Sequence, residues 1–329
     1  MNLLGNERSY RQLSRLADLK AYNAENKRVF GRDITNLEKK LKKNASIYEK
    51  VPMAKVEQRI RSQSLYGKKG NSSTVPASSR KDAINEYKQE ILDFMVKIQK
   101  EEQKDIQKNI TDKMRYILID WLVDVHDSFE LKEQTLHLAL SYLSDFAAER
   151  EISKEDYQLA GITCLWIASK YEEIYPPRTK NYIEVTADTY SLKELKGMEG
   201  KIIESLNFDL NRTTSLQLLE AVFEKHTEKG LSLCKYLLEL SLFDGLAKKY
   251  DPYTLVVGAI EVSDHVLKTK TEIKLEPSKK ISREDKNACF KDLCILLQGG
   301  TKHDLVAIKK KYGKSRYQNV SKLRLNLHE

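Results

Sequence analysis

From about residue 82 onward, apolar residues return every third or fourth position in one segment after another, with no strand pairs of comparable strength. The spacing predicts helices over 86–98, 113–128, 133–149, 155–173, 179–184 and 191–206, with loops marked by Lys132, Pro176-Pro177 and Asn207. Past the polar segment Asp209–Ser215, the same period predicts helices over 216–226, 231–250, 253–266, 285–297 and 303–312. The expected fold class is all-α, in two runs of about five helices each. Residues 1 to about 80 are polar and basic with no sustained period, and end in Gly67-Lys-Lys-Gly-Asn-Ser-Ser-Thr74 and Val75-Pro-Ala-Ser-Ser79. Such a stretch buries too little to offset its ordering entropy, which predicts a disordered tail with transient helix near Glu7–Tyr22.

Three of the expected helices carry unusual faces. In Met114-Arg-Tyr-Ile-Leu-Ile-Asp-Trp-Leu-Val-Asp-Val125, residues Met114, Ile117, Leu118 and Trp121 fall at i, i+3, i+4 and i+7 and form one ridge, while Ile119, Leu122 and Val123 lie on other sides. A helix apolar nearly all round is either wholly buried or offers a groove on one side. Leu159–Ser169 reads as the central buried helix of the first half, and it ends in Lys170, whose ammonium must reach water or an acceptor. In 86–98, Tyr87, Ile91 and Phe94 share one stripe.

Composition narrows the class. A chain of 329 residues with 40% hydrophobic content can bury the cores of two domains. The net charge of +9 and pI near 9.0 invite a nucleic-acid reading. Much of the excess, however, lies in the tail and in runs such as Lys309-Lys-Lys311, without an aromatic-interleaved basic groove, so nucleic acid is disfavoured as a partner. Cysteines 164, 234, 289 and 294 show no CxxC spacing, and the six histidines no HxxxH pair, so no metal site or cofactor is expected. No segment reaches the roughly 18 apolar residues of a membrane span, and no signal sequence is evident, which leaves nucleus and cytoplasm as the expected location. Lys39-Lys-Leu-Lys-Lys43 reads equally as a weak nuclear-import candidate or as a solvated charge run. No nucleophile–base set, phosphate-binding glycine loop or metal motif is present, so the chain is not expected to be an enzyme.

The run Met114–Val123 resembles the opening helix of a cyclin box, in the form typical of A- and B-type cyclins. Leu136-His-Leu-Ala-Leu-Ser-Tyr142, Gln158-Leu-Ala-Gly161 through Ile167-Ala-Ser-Lys170, and Thr189-Tyr-Ser-Leu-Lys-Glu-Leu-Lys-Gly-Met-Glu199 are similar to its second, third and fifth helices. Lys235–Asp244 and Lys311–Tyr317 extend a weaker match into the second half. The resemblance implies two tandem cyclin-box domains, 81–210 with its N-terminal helix and 211–329, preceded by the tail 1–80. It further implies a mitotic-type cyclin, B-type slightly favoured, that activates a cyclin-dependent kinase and is not itself catalytic. The alternative is a transcription-associated cyclin-fold protein, either a polymerase-kinase cyclin or a DNA-binding initiation factor.

By the same resemblance, Lys170 and Glu199 hold the kinase, and the helix carrying Tyr87, Ile91 and Phe94 touches it. Met114, Ile117, Leu118, Trp121, Asp124 and Gln158 form a patch that docks Arg-x-Leu motifs of substrates and inhibitors, although Tyr157 replaces the usual leucine beside it. The family's arginine at Arg115 pairs with an aspartate in the second helix; here that position is Ser144, with Asp145 one residue on. Lys27–Asn36 is similar to a destruction box, with Arg28, Phe30, Gly31, Ile34 and Asn36 as its elements, which implies a ubiquitin ligase acting through the tail.

Overall fold

The computed structural model describes residues 77–98, 107–223, 227–243, 245–271, 280–299 and 306–323, with Ile273 and Pro277. The degron-like residues Arg28, Phe30, Gly31, Ile34 and Asn36 lie outside them. Among the described residues every regular element is helical: α1 Ala77–Lys97, α2 Asp112–Ser128, α3 Glu133–Glu149, α4 Lys154–Glu172, α5 Thr179–Glu184, α6 Leu192–Ser205, α7 Ser215–Val222, α8 Glu228–Phe243, α9 Leu246–Lys249, α10 Pro252–Leu267, α11 Arg283–Leu297 and α12 Val306–Tyr312. Of the unit Asn26–Tyr87 only the first part of α1 is described; the two helical bundles lie in the unit containing Lys88–Glu329.

Three helix boundaries differ from expectation. The helix expected over 216–226 ends at Val222, with Phe223 as its C-cap. The helix expected from residue 86 begins at Ala77, inside the stretch read as disordered tail, because nothing between Pro76 and Lys97 breaks it. The single helix expected over 231–250 is two, since Gly245 turns the chain with φ +76°, a conformation glycine adopts without penalty. Most other starts are chemically marked. Thr111, Ser153 and Ser282 cap α2, α4 and α11 through their hydroxyls, and Asp251 caps α10 ahead of Pro252. Ser191 with Glu194 and Thr214 with Gln217 form reciprocal capping boxes at α6 and α7.

Each bundle is built round one central helix. In the first, α4 is packed by α2, α3, α5 and α6, and in the second, α10 by α7, α8 and α11. Both central helices carry a glycine where a neighbour comes close. A Cβ at Gly161 would lie 2.9 Å from Leu118, and one at Gly258 would lie 2.7 Å from the Cys289 sulfur, so the approach of α2 to α4 and of α11 to α10 requires their absence. The bundles are tied by side chains: Tyr142 donates to the Leu210 carbonyl at 2.7 Å, Thr214 to Gln134 Oε1 at 2.7 Å, and Lys235 to Glu133 at 2.5 Å. The C-terminal α12 crosses back onto α2, where the Ala307 amide donates to Asp120 at 3.1 Å and Lys314 and Arg316 pair with Asp127.

His126 and His137 are buried near this junction, and burial, reinforced by the Lys311 charge, holds both imidazoles down to about 3. Unfolded, each titrates at 6.5, so between pH 6.5 and 3 the unfolded chain binds two protons that the folded chain refuses, and stability is lost as pH falls. Burial raises Asp120 to about 6 from 3.8, so the folded state holds one extra proton between those values, which opposes the histidines. Of these three groups the two histidines outweigh the one aspartate, so their summed effect is a loss of stability as pH falls from 6 toward 4. Urea midpoints measured from pH 7.5 to 4.5 are expected to be level at first and then to fall; a flat profile would contradict it.

Candidate functional site

At the C-terminus of α4 the Lys170 ammonium sits 3.8 Å over the Trp166 ring and forms an ion pair with Glu199 of α6. Both partners retain access to water, with side chains 38% and 20% exposed. The structure thus brings together the two charges that the sequence places 29 residues apart. Their frame is rigid. Glu173, which follows α4, accepts from the Lys132 amide and the Thr135 hydroxyl, both at 2.7 Å, and Lys132 Nζ donates to the Glu172 carbonyl at 2.6 Å. The end of α4 is therefore fastened to the start of α3. Tyr182 donates to Ser169 at 2.8 Å, and Ser169 to the Trp166 carbonyl at 2.8 Å, one residue before the lysine.

Exposed apolar side chains accompany this pair. Tyr171, Ile174 and Tyr175 follow Lys170 directly, Tyr175 being 91% exposed, and Phe208 stands beyond the end of α6 at 78%. Asn207 and Phe208 are successive left-handed residues, with φ 51° and 58°, a conformation uncommon for a bulky side chain. Sequence reasoning missed Tyr171, in the last turn of α4, and the loop residues Ile174, Tyr175 and Phe208, because apolar residues at a helix end or in a loop have no period to reveal them. On α1, Tyr87, Ile91 and Phe94 remain exposed while Leu92 and Val96 enter the core.

The ridge on α2 needs correction as an open surface. Leu118 is 1% exposed beneath Gly161, Trp121 is 8% exposed, and Gln158 is buried. These three are core: α2 packs on both α4 and α12, and Leu118 closes on α4 at Gly161. Accessible surface is left only at Ile117, 41% exposed, beside half-buried Met114, with Asp124 two turns on from Ile117 along the same strip. Burial raises the Asp124 carboxyl, and Lys310 of α12 opposes that rise.

Arg115 and Asp145 do not pair. The Asp145 carboxylate accepts from Arg212 Nε at 2.8 Å, and Arg212 further donates through Nη1 to the Asp209 and Asn211 carbonyls. The one-residue step from Ser144 to Asp145 turns the acid by about 100°, toward the segment between the bundles. No group of three or more metal-ligating side chains occurs among the described residues, and no described helix is long and apolar enough to cross a membrane.

Residues 82–211 match the family model for the cyclin N-terminal domain, and 205–325 that for the cyclin C-terminal domain. The chain is 34% identical over 226 residues to cyclin-A1-2 of Arabidopsis thaliana, covering 66% of this chain and 51% of that one. It is 30% identical over 251 residues to G2/mitotic-specific cyclin-B of Marthasterias glacialis, covering 72% and 63%. The chain thus spans about half to two thirds of the length of these curated relatives. A viral cyclin from herpesvirus saimiri is similar at TM-score 0.45 and 17% identity, covering 73% of this chain and 94% of that one, too slight a likeness to carry an argument.

Proposed function

The chain belongs to the cyclin family, and from that premise we propose that it binds and activates a cyclin-dependent protein kinase. The observation that carries the reading is the Lys170–Glu199 pair: two opposite charges on a fastened frame, still open to water, next to aromatic side chains that nothing described covers. A surface of that composition, with apolar bulk around a charge pair, suits a partner helix that offers both. Ile91 and Phe94 on α1 would add apolar area to the same contact.

The action is a shift of population. Tighter binding to the active arrangement of the kinase than to the inactive one supplies the bias, and the chemistry stays with the kinase. On this reading the chain is a regulatory subunit and not itself the catalyst. The role we assign is in mitosis, in nucleus and cytoplasm, with turnover through a ubiquitin ligase acting on the tail. Substrates and inhibitors carrying Arg-x-Leu would dock on the narrowed strip of Met114, Ile117 and Asp124.

The deciding experiment mixes the purified chain with a cyclin-dependent kinase subunit and measures histone phosphorylation. Activity is expected to rise well above that of the kinase alone, with a stable complex on gel filtration. No rise, together with salt-sensitive binding to duplex DNA, would instead favour an initiation-factor role.

A further inference from the structure

A cavity of roughly 460 Å³ lies where α2 and α3 meet the segment 212–215 and the α9–α10 region of the second bundle. That size falls within the range of about 300–1,000 Å³ usual for ligand sites. Its wall carries two guanidinium groups, Arg115 and Arg212. Arg212 is 6% exposed and spends Nε on Asp145, yet its Nη2 has no partner. Arg115 is half-buried and pairs with no carboxylate of the described residues. Of the other charges at the wall, Lys249 pairs with Asp292 at 2.7 Å, Asp251 accepts from the Tyr253 and Thr254 amides at the start of α10, and Asp112 stands exposed one turn before Arg115 on α2; Arg212 also pairs with the Asp209 carboxylate at 3.4 Å. Ser141 and Ser144 bring hydroxyls of α3 to the same wall.

A buried donor left unsatisfied costs stability, and a chain that keeps one beside an open cavity, with a second guanidinium on the same wall, is arranged for an acceptor from outside. We propose that this cavity binds a carboxylate-bearing ligand, with Arg115 as its anchoring cation and Arg212 and Ser144 as further donors. Geometry and charge select the class. The guanidinium fork meets a carboxylate with two parallel bonds, and the acids already at the wall, Asp112, Asp145 and Asp251, weigh against a phosphate dianion. A free small acid and the aspartate or glutamate side chain of a docked polypeptide share this chemistry. The site stands apart from the Lys170–Glu199 surface, so its test does not depend on the kinase.

The full chain, labelled on arginine nitrogen, is titrated at constant ionic strength with acetate, with a blocked Ala-Glu-Ala tripeptide, with its Ala-Gln-Ala counterpart and with inorganic phosphate. The Arg115 Nε–Hε resonance is expected to shift saturably with the carboxylates and not with the glutamine peptide. A tripeptide about tenfold tighter than acetate identifies a polypeptide side chain as the natural source, and equal affinity identifies a free acid. Ser144→Asp places a carboxylate on the wall permanently; it should abolish the titration and raise the thermal midpoint. Arg115→Gln should cost the tripeptide at least about tenfold, read on the Arg212 resonance or by calorimetry. The proposal is overturned if neither carboxylate shifts Arg115, if phosphate binds more tightly than both, or if Ser144→Asp titrates like the unaltered chain.

Discussion

Reversing Lys170 alone or Glu199 alone is expected to cut kinase activation about a hundredfold, and exchanging the two charges is expected not to restore it. Each single reversal leaves a like-charged pair on α4 and α6, but both side chains are solvated, so the free protein should lose no more than about 1 kcal/mol. Buried against a kinase the same charges would be desolvated, where losing the correct partner costs about 2–5 kcal/mol, and about 2.7 kcal/mol is a factor of a hundred. The exchange Lys170→Glu with Glu199→Lys rebuilds the internal pair and so recovers stability, yet presents each charge to a partner in the wrong place. Thermal midpoints, kinase affinity by surface plasmon resonance and histone phosphorylation would be measured on all three variants. Recovery of activation by the exchange would show that the pair matters only for holding α4 to α6.

Removing the Lys311 ammonium should cost about 3–5 kcal/mol, a large share of the roughly 5–15 kcal/mol that holds a domain folded. Lys311 of α12 and Glu239 of α8 are each 1% exposed and ion-paired, and Tyr312 donates to the same Glu239 Oε1 at 2.8 Å. Burial pushes the Glu239 carboxyl up, and Lys311 is what opposes that rise. Lys311→Met strands the acid, which then takes up a proton or opens the junction, and because α12 also packs on α2 the loss spreads to both bundles. Lys311→Met with Glu239→Leu removes both charges together and should recover most of the loss, since a buried pair replaced by apolar side chains is often neutral. Urea unfolding of the single and double variants checks this. A single variant within about 1 kcal/mol of the unaltered chain would mean the pair is far better hydrated than its burial implies.

The helices were legible wherever the sequence states its period and its stops. Ser191 with Glu194 and Thr214 with Gln217 mark starts that the structure keeps, and Asp244-Gly245 is a turn signal that could have divided the segment 231–250. The ridge on α2 shows where the reading stopped. Its spacing fixes which residues share a face, but a stripe facing solvent and a stripe facing another helix look alike in one dimension; Gly161, which lets Leu118 close on α4, decided between them. Burial of Gln158 followed from the same packing.

Partnerships between distant residues divide in the same way. That Lys170 must find water or an acceptor followed from its place at the end of an apolar helix, and Glu199 came from a resemblance of motifs. That Asp145 serves Arg212 and leaves Arg115 to a cavity depended on how two bundles meet. The sequence by itself determined the helical class, the two runs of helices, the family and the charges that stand at its candidate surface, because period, capping chemistry and motif order are local properties. Which apolar face is covered, which acid takes which arginine, and where an unfilled space remains were decided only by the tertiary structure, because burial and ion pairing depend on distances between segments that no local spacing records.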